Sequence, residues 1–138
     1  MSYRFLDHAT DAIIEVTAKN LKEAFSVTAD AVINLTLDQD KVEEKEQVEF
    51  SANGKDLRYL LFSWIEEITF VLITEGVAIR RIDFQILKNE GYRIEAKACG
   101  EPLDLKKHNF KVEIKAPTFY EMKSEQNAGV LMRFLLDL

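Results

Sequence analysis

An α+β fold, a mostly antiparallel or mixed β-sheet packed with two main helices, is predicted by three features of this 138-residue chain. Two segments carry apolar residues at helical spacing. The first of them follows a pair of strand-like segments, and the second follows a lone one. The second half of the chain then runs as successive strands whose apolar and polar residues alternate, as half-buried antiparallel strands do. The length suits a single domain spanning 1–138.

Residues 3–6 and 12–18 are short, apolar and rich in β-branched side chains, and both read as strands. Asn20 is an N-cap with Glu23 three residues on, and Leu21, Phe25, Thr28, Val32 and Leu35 recur at helical spacing, predicting a helix over 21–35. A strand is expected at 48–51. Asn53-Gly54 marks a turn, and Asp56 caps the strongest helix, whose stripe runs through Leu57, Leu60, Leu61, Trp64, Ile65, Ile68, Val71 and Leu72 to a stop at Gly76. Phe62 and Phe70 lie off that stripe, so the helix is either sandwiched in the core or presents a partner surface. Residues 82–86 and 92–98 form a hairpin across Lys88-Asn89-Glu90-Gly91. An irregular loop over 100–109 and strands at 110–116, 119–123 and 129–136 complete the reading.

Composition narrows the function. A net charge of −6 argues against an autonomous high-affinity nucleic-acid binder. The single cysteine, Cys99, forms no intramolecular disulfide and reads as a half-buried structural thiol, which fits a reducing compartment. No apolar run is long enough to span a bilayer and no signal pattern opens the chain, so a cytoplasmic location is expected. Five scattered glycines make no phosphate-cradling loop, and two histidines alone complete no zinc set.

What the sequence offers is carboxylate oxygen, which favours hard cations such as Ca²⁺ or Mg²⁺. Asp7-His8-Ala9-Thr10-Asp11 joins the first two strands as a polar turn or as half of a cation site. Asp137 ends the last strand beside the terminal carboxylate of Leu138, either as a plain polar chain end or as two anionic groups held together. Asp38 and Asp40 flank Gln39 after the first helix, and Asp40 reads as solvated loop. Lys106-Lys107-His108 is either a solvated loop or a contact for a phosphate or acidic patch.

Several of these stretches, in order along the chain, resemble the archease family. Its D-H-T-A-D opening is matched by Asp7-His8-Ala9-Thr10-Asp11, with the middle pair exchanged. Its L-E-E-A-F helix start is matched by Leu21-Lys22-Glu23-Ala24-Phe25. Its L-D-P-x-K-H loop is matched by Leu103-Asp104-Leu105-Lys106-Lys107-His108, without the proline. Its E-V-K-A-x-T-Y-H-x-M strand is matched from Glu113 to Met122, with Phe119 for the usual Tyr and Tyr120 for the usual His. The ending is Leu135-Leu136-Asp137-Leu138.

The resemblance implies a non-enzymatic protein partner of the RtcB-type RNA ligase, which acts in tRNA splicing and RNA repair. It implies that the protein promotes guanylylation of that ligase and so its multiple turnover. It also implies a divalent-cation site, with Ca²⁺ expected and Mg²⁺ or Mn²⁺ as alternatives, built from Asp11, Asp137 and the Leu138 carboxylate. A looser match adds Asp38, and Lys107 is the implied activating contact. Two other readings remain at this point. One is a metal-dependent hydrolase or phosphotransferase using the same acids, with His8 or His108 as base. The other is a chaperone-like binding module using the Phe62 and Phe70 side of the second helix.

Overall fold

Two antiparallel sheets carry the strands of the computed structural model, which describes residues 2–6, 11–118 and 129–138. Strands β1 (Ser2–Leu6), β2 (Asp11–Ala18), β6 (Ala116–Thr118) and β7 (Val130–Asp137) form a four-stranded sheet in the order β1-β2-β7-β6. Strands β3 (Glu46–Gly54), β4 (Val77–Lys88) and β5 (Tyr92–Pro102) form a second, in the order β3-β5-β4. Helix α1 (Leu21–Thr36) packs on β1, β2 and β7 and also on β4. Helix α2 (Leu57–Thr69) packs on β3 and β5 and also on β6. Each helix therefore touches both sheets, and the α+β expectation holds.

Both helix starts form as their sequences dictate. The Asn20 side chain accepts from the Glu23 N–H at 2.9 Å, and Asp56 accepts from the Tyr59 N–H at 3.0 Å. Because α1 meets two sheets, burial extends around it, taking in Phe25, Val27, Ala29, Val32 and Ile33. Its two buried threonines, Thr28 and Thr36, donate back to the carbonyls of Ala24 and Val32, so neither hydroxyl is left unsatisfied. Trp64 of α2 lies at the centre of the core. Its ring stacks on Phe50 and tilts against Phe84, with centroids at 5.6 and 4.9 Å, and its indole N–H donates to the Phe25 carbonyl at 3.0 Å.

Four expectations need correction. The second helix is not uniform: α-helical bonding stops at Thr69 and a π-helical turn covers Phe70–Thr74 before Gly76, at φ +67°, ends it. Phe62 is half-buried against the core, whereas Phe70 is 48 % exposed, so of the two only Phe70 is largely open to solvent. Cys99 is 2 % exposed, a fully buried thiol on β5. Residues 110–115 alternate as a strand should but, among the described residues, pair with no strand. Their backbone bonds go one at a time to separate places: Phe110 N–H to Leu105, Lys111 N–H to Thr36 and Lys115 N–H to Asp137. A ladder needs successive bonds to one neighbour, and the described residues offer none.

The expected strand at 119–123, with Phe119 and Tyr120, lies outside the described residues, as do Asp7 and His8. Among the described residues no helix is long and apolar enough to cross a membrane.

Candidate functional site

Strand register decides which acids meet. Ala12, Ile14, Val16 and Ala18 of β2 join the core cluster, as do Val130, Met132, Phe134 and Leu136 of β7. Alternation then puts Asp11, Ile13 and Glu15 on the other face, opposite Asp137, Leu135 and Arg133. Asp11 and Asp137 are direct cross-strand partners, so their Cβ atoms lie about 5 Å apart on one face. Asp137 is exposed and Asp11 half-buried.

The neighbouring acid on this face is treated differently. Glu15 has Arg4 on one side of it and Arg133 on the other as register partners, and both guanidiniums bond its carboxylate. Arg133 and then Arg4 hold that carboxyl below the usual range. At the strand end the register supplies an acid opposite an acid instead. The Asp137 carbonyl accepts from the Lys115 N–H at 2.8 Å, and Leu138 packs its side chain against the core. The chain end is thereby anchored, one residue beyond the pair.

Both donors are carboxylates, hard oxygen ligands of the kind that suit Ca²⁺ or Mg²⁺. Among the described residues, no group of three or more His, Cys, Asp and Glu side chains is gathered into a cage.

Asp38 is placed among cations. Its carboxylate lies 3.0 Å from Lys111 Nζ and 3.3 Å from Lys41 Nζ, and accepts from Asn109 Nδ2 at 3.1 Å. Lys111, then Asn109, push its pKa down to about 2. Its backbone N–H donates to the His108 carbonyl. Asp38 thus fastens the end of α1 to the segment that follows the lysine-bearing turn.

That turn is built, not merely solvated. The Asp104 carboxylate accepts from the backbone N–H groups of Lys106 and Lys107, both at 3.0 Å, and those bonds lower its pKa. The Asp104 N–H donates to His108 Nδ1 at 3.0 Å, so His108 carries its ring proton on Nε2 and donates it to Glu101, 2.9 Å away. His108 is fully buried, which overturns the solvated-loop reading for that residue. Lys107 Nζ lies 2.9 Å from both Glu101 and Glu43, and those acids, Glu43 first, raise its pKa.

Glu101 and Glu43 were not singled out from the sequence. Glu101 sits at the end of β5, which runs to Pro102, three residues into what the pattern suggested was loop. The signal available was a lone acid before a proline, indistinguishable from a surface residue.

Fold and strand-end acids together define an α+β protein of two antiparallel sheets tied by two helices, with oxygen donors at the ends of two central strands. The chain belongs to the archease family, whose model, the Archease protein family, matches residues 3–138. It is 39 % identical to the protein archease of Pyrococcus abyssi over 121 residues, 87 % of this chain and 85 % of that protein. It is also 39 % identical to that of Pyrobaculum islandicum over 128 residues, 91 % of this chain and 87 % of that protein. The solution structure of Methanobacterium thermoautotrophicum protein 1598 superposes with a TM-score of 0.80 at 27 % identity, covering 99 % of both chains.

Proposed function

We propose that this protein is a non-catalytic cofactor of an RtcB-type RNA ligase, acting in the cytoplasm in tRNA splicing and RNA repair. It promotes metal-assisted guanylylation of the ligase, and so its repeated turnover. The observation that carries the reading is the direct register pairing of Asp11 with Asp137, one residue from the chain end. Like charges placed opposite each other destabilise a sheet, and a cation bound between the two carboxylates would relieve that repulsion.

Asp11, Asp137 and the Leu138 carboxylate would hold a divalent cation, Ca²⁺ in the first instance with Mg²⁺ or Mn²⁺ as alternatives. Asp38 is the weaker fourth candidate, since it must first give up Lys111 and Lys41. A cation bound there would supply charge stabilisation for phosphate oxygens at the partner's nucleotide site. The protein's own residues set the orientation: the acid pair stands at the ends of two central strands, and Lys107 offers an ammonium from the folded turn over 103–109. The net charge of −6 keeps the protein itself off the RNA phosphates.

The test is guanylylation of a purified RtcB-type ligase with GTP, with and without this protein and with chelator. Stimulation that chelation of the pre-loaded protein removes supports the reading. Turnover by the isolated protein, or stimulation indifferent to metal, refutes it.

A further inference from the structure

The least expected cluster in the molecule is a buried carboxylate paired to a buried imidazole. Glu101 has a side chain only 5 % exposed, and His108 is not exposed at all. Burying a charge is costly unless hydrogen bonds satisfy it. Here the Glu43 backbone N–H donates to Glu101 at 2.8 Å, His108 Nε2 at 2.9 Å, and Lys107 Nζ lies at 2.9 Å. These donors, in that order, hold the carboxyl far below the usual range.

The first two donors, the Glu43 N–H and His108 Nε2, hold Glu101 from inside the fold. The third, Lys107, is half out of the protein, its side chain 38 % exposed. Its ammonium is therefore fixed from behind by a group that cannot leave and is open to solvent in front. In front stands the Glu43 carboxylate, 61 % exposed, where Lys107 and Lys45 converge on one oxygen at 2.9 and 3.2 Å. An exposed pair of this kind contributes little to stability and is readily exchanged for another anion. Without Glu43, Lys107 and Lys45 against Glu101 leave one net positive charge, which one carboxylate neutralises.

We propose that Glu101 is a positioning residue that holds the Lys107 ammonium at a fixed surface point, where it meets an acidic side chain of a protein partner, and that Glu43 occupies that side chain's place in the free protein. His108 is the tether: oriented by the Asp104 N–H, it locks Glu101 and the turn that carries Lys107 into one unit. The partner being the ligase rests on the function proposed above. The anchoring of Lys107 by Glu101 does not.

The experiment compares Glu101→Gln and Glu43→Gln in the full chain by NMR of the lysine side-chain Nζ and Cε groups, beside ligase stimulation. In Glu101→Gln the Lys107 signals are expected to move to those of a mobile, solvated lysine, and stimulation to fall on the order of tenfold, the scale of one lost charge-assisted contact. In Glu43→Gln, an exposed change that leaves the core intact, Lys107 keeps its anchored signals and stimulation is retained. Unchanged Lys107 signals in a folded Glu101→Gln, or a Lys107 set free in Glu43→Gln, overturn the proposal. The lysine signals need no ligase. A wild-type chain that stimulates no ligase therefore overturns the proposed function, while the NMR still decides the anchoring.

Discussion

Asp11 of β2 and Asp137 of β7 are direct antiparallel partners, the last register pair before the chain ends. Every other pair along these two strands joins apolar side chains, apolar to hydroxyl, or, at Glu15 and Arg133, acid to base. The acid–acid pair is the exception, and it sits where strand pairing stops.

Removing one acid should have opposite effects with and without cation. In chelator, Asp137→Asn is expected to be neutral or to stabilise by roughly 0.2–1 kcal/mol, since a like-charge cross-strand pair is relieved. With excess Ca²⁺ the wild type gains stability through binding to the native state, and the variant does not. Thermal melts with and without Ca²⁺ check this, and equal Ca²⁺ shifts in both proteins would count against a shared site.

Acid should loosen the turn before it unfolds the core. Asp38 has a folded pKa of about 2 against an ordinary 3.8, so its contribution is complete above the ordinary value and lost as the pH falls through the folded one. Glu101, depressed from 4.5, acts in the same direction. Stability is therefore expected to fall between about pH 4 and pH 2, and to fall less steeply in Asp38→Asn. Denaturant midpoints across that range measure it, and identical slopes would remove Asp38 from the account.

Trp64 is the core's keystone, and it is the chain's single tryptophan, so its fluorescence reports its own surroundings. Trp64→Ala should cost about 3–5 kcal/mol, from the cavity left between Phe50, Phe84 and Phe25 and from the Phe25 carbonyl deprived of its donor. Chemical denaturation followed by circular dichroism gives the value.

Two glycines should separate steric need from conformational need. A Cβ on Gly100 would lie 1.8 Å from the Ala78 carbonyl oxygen, beside the irregularity between Ile79 and Arg81 in β4. Gly100→Ala is expected to cost about 3 kcal/mol and to disturb the β4–β5 pairing. Gly76→Ala meets no atom but keeps φ at +67°, so about 1 kcal/mol is expected. Equilibrium unfolding of both variants ranks them, and a reversed order would contradict this packing.

Elements whose cause is local were legible in the sequence. Asn20 and Asp56 announce helix starts because an Asx side chain followed by helical periodicity has one natural structure, and both caps form. The Lys88–Gly91 turn was legible for the same reason, with Glu90 and Gly91 at positive φ. Features with distant causes were not. Residues 110–115 alternate like a strand, but whether a partner lies alongside depends on elements far away in the chain. Glu101 and His108 look like loop residues because each is buried only by the other's surroundings. The meeting of Asp11 with Asp137 came from the family resemblance, since no local pattern states which strands are neighbours.

The central claim is that this acid pair is what the ligase uses. The direct measurement is multiple-turnover guanylylation and joining by a purified RtcB-type ligase, supplemented with wild type, Asp11→Asn, Asp137→Asn, or Glu49→Gln as an exposed-acid control on the other sheet. Wild type and Glu49→Gln are expected to sustain turnover, while the two aspartate variants, folded as judged by circular dichroism, leave the ligase at its unassisted rate. Full stimulation by folded Asp11→Asn and Asp137→Asn would contradict the account.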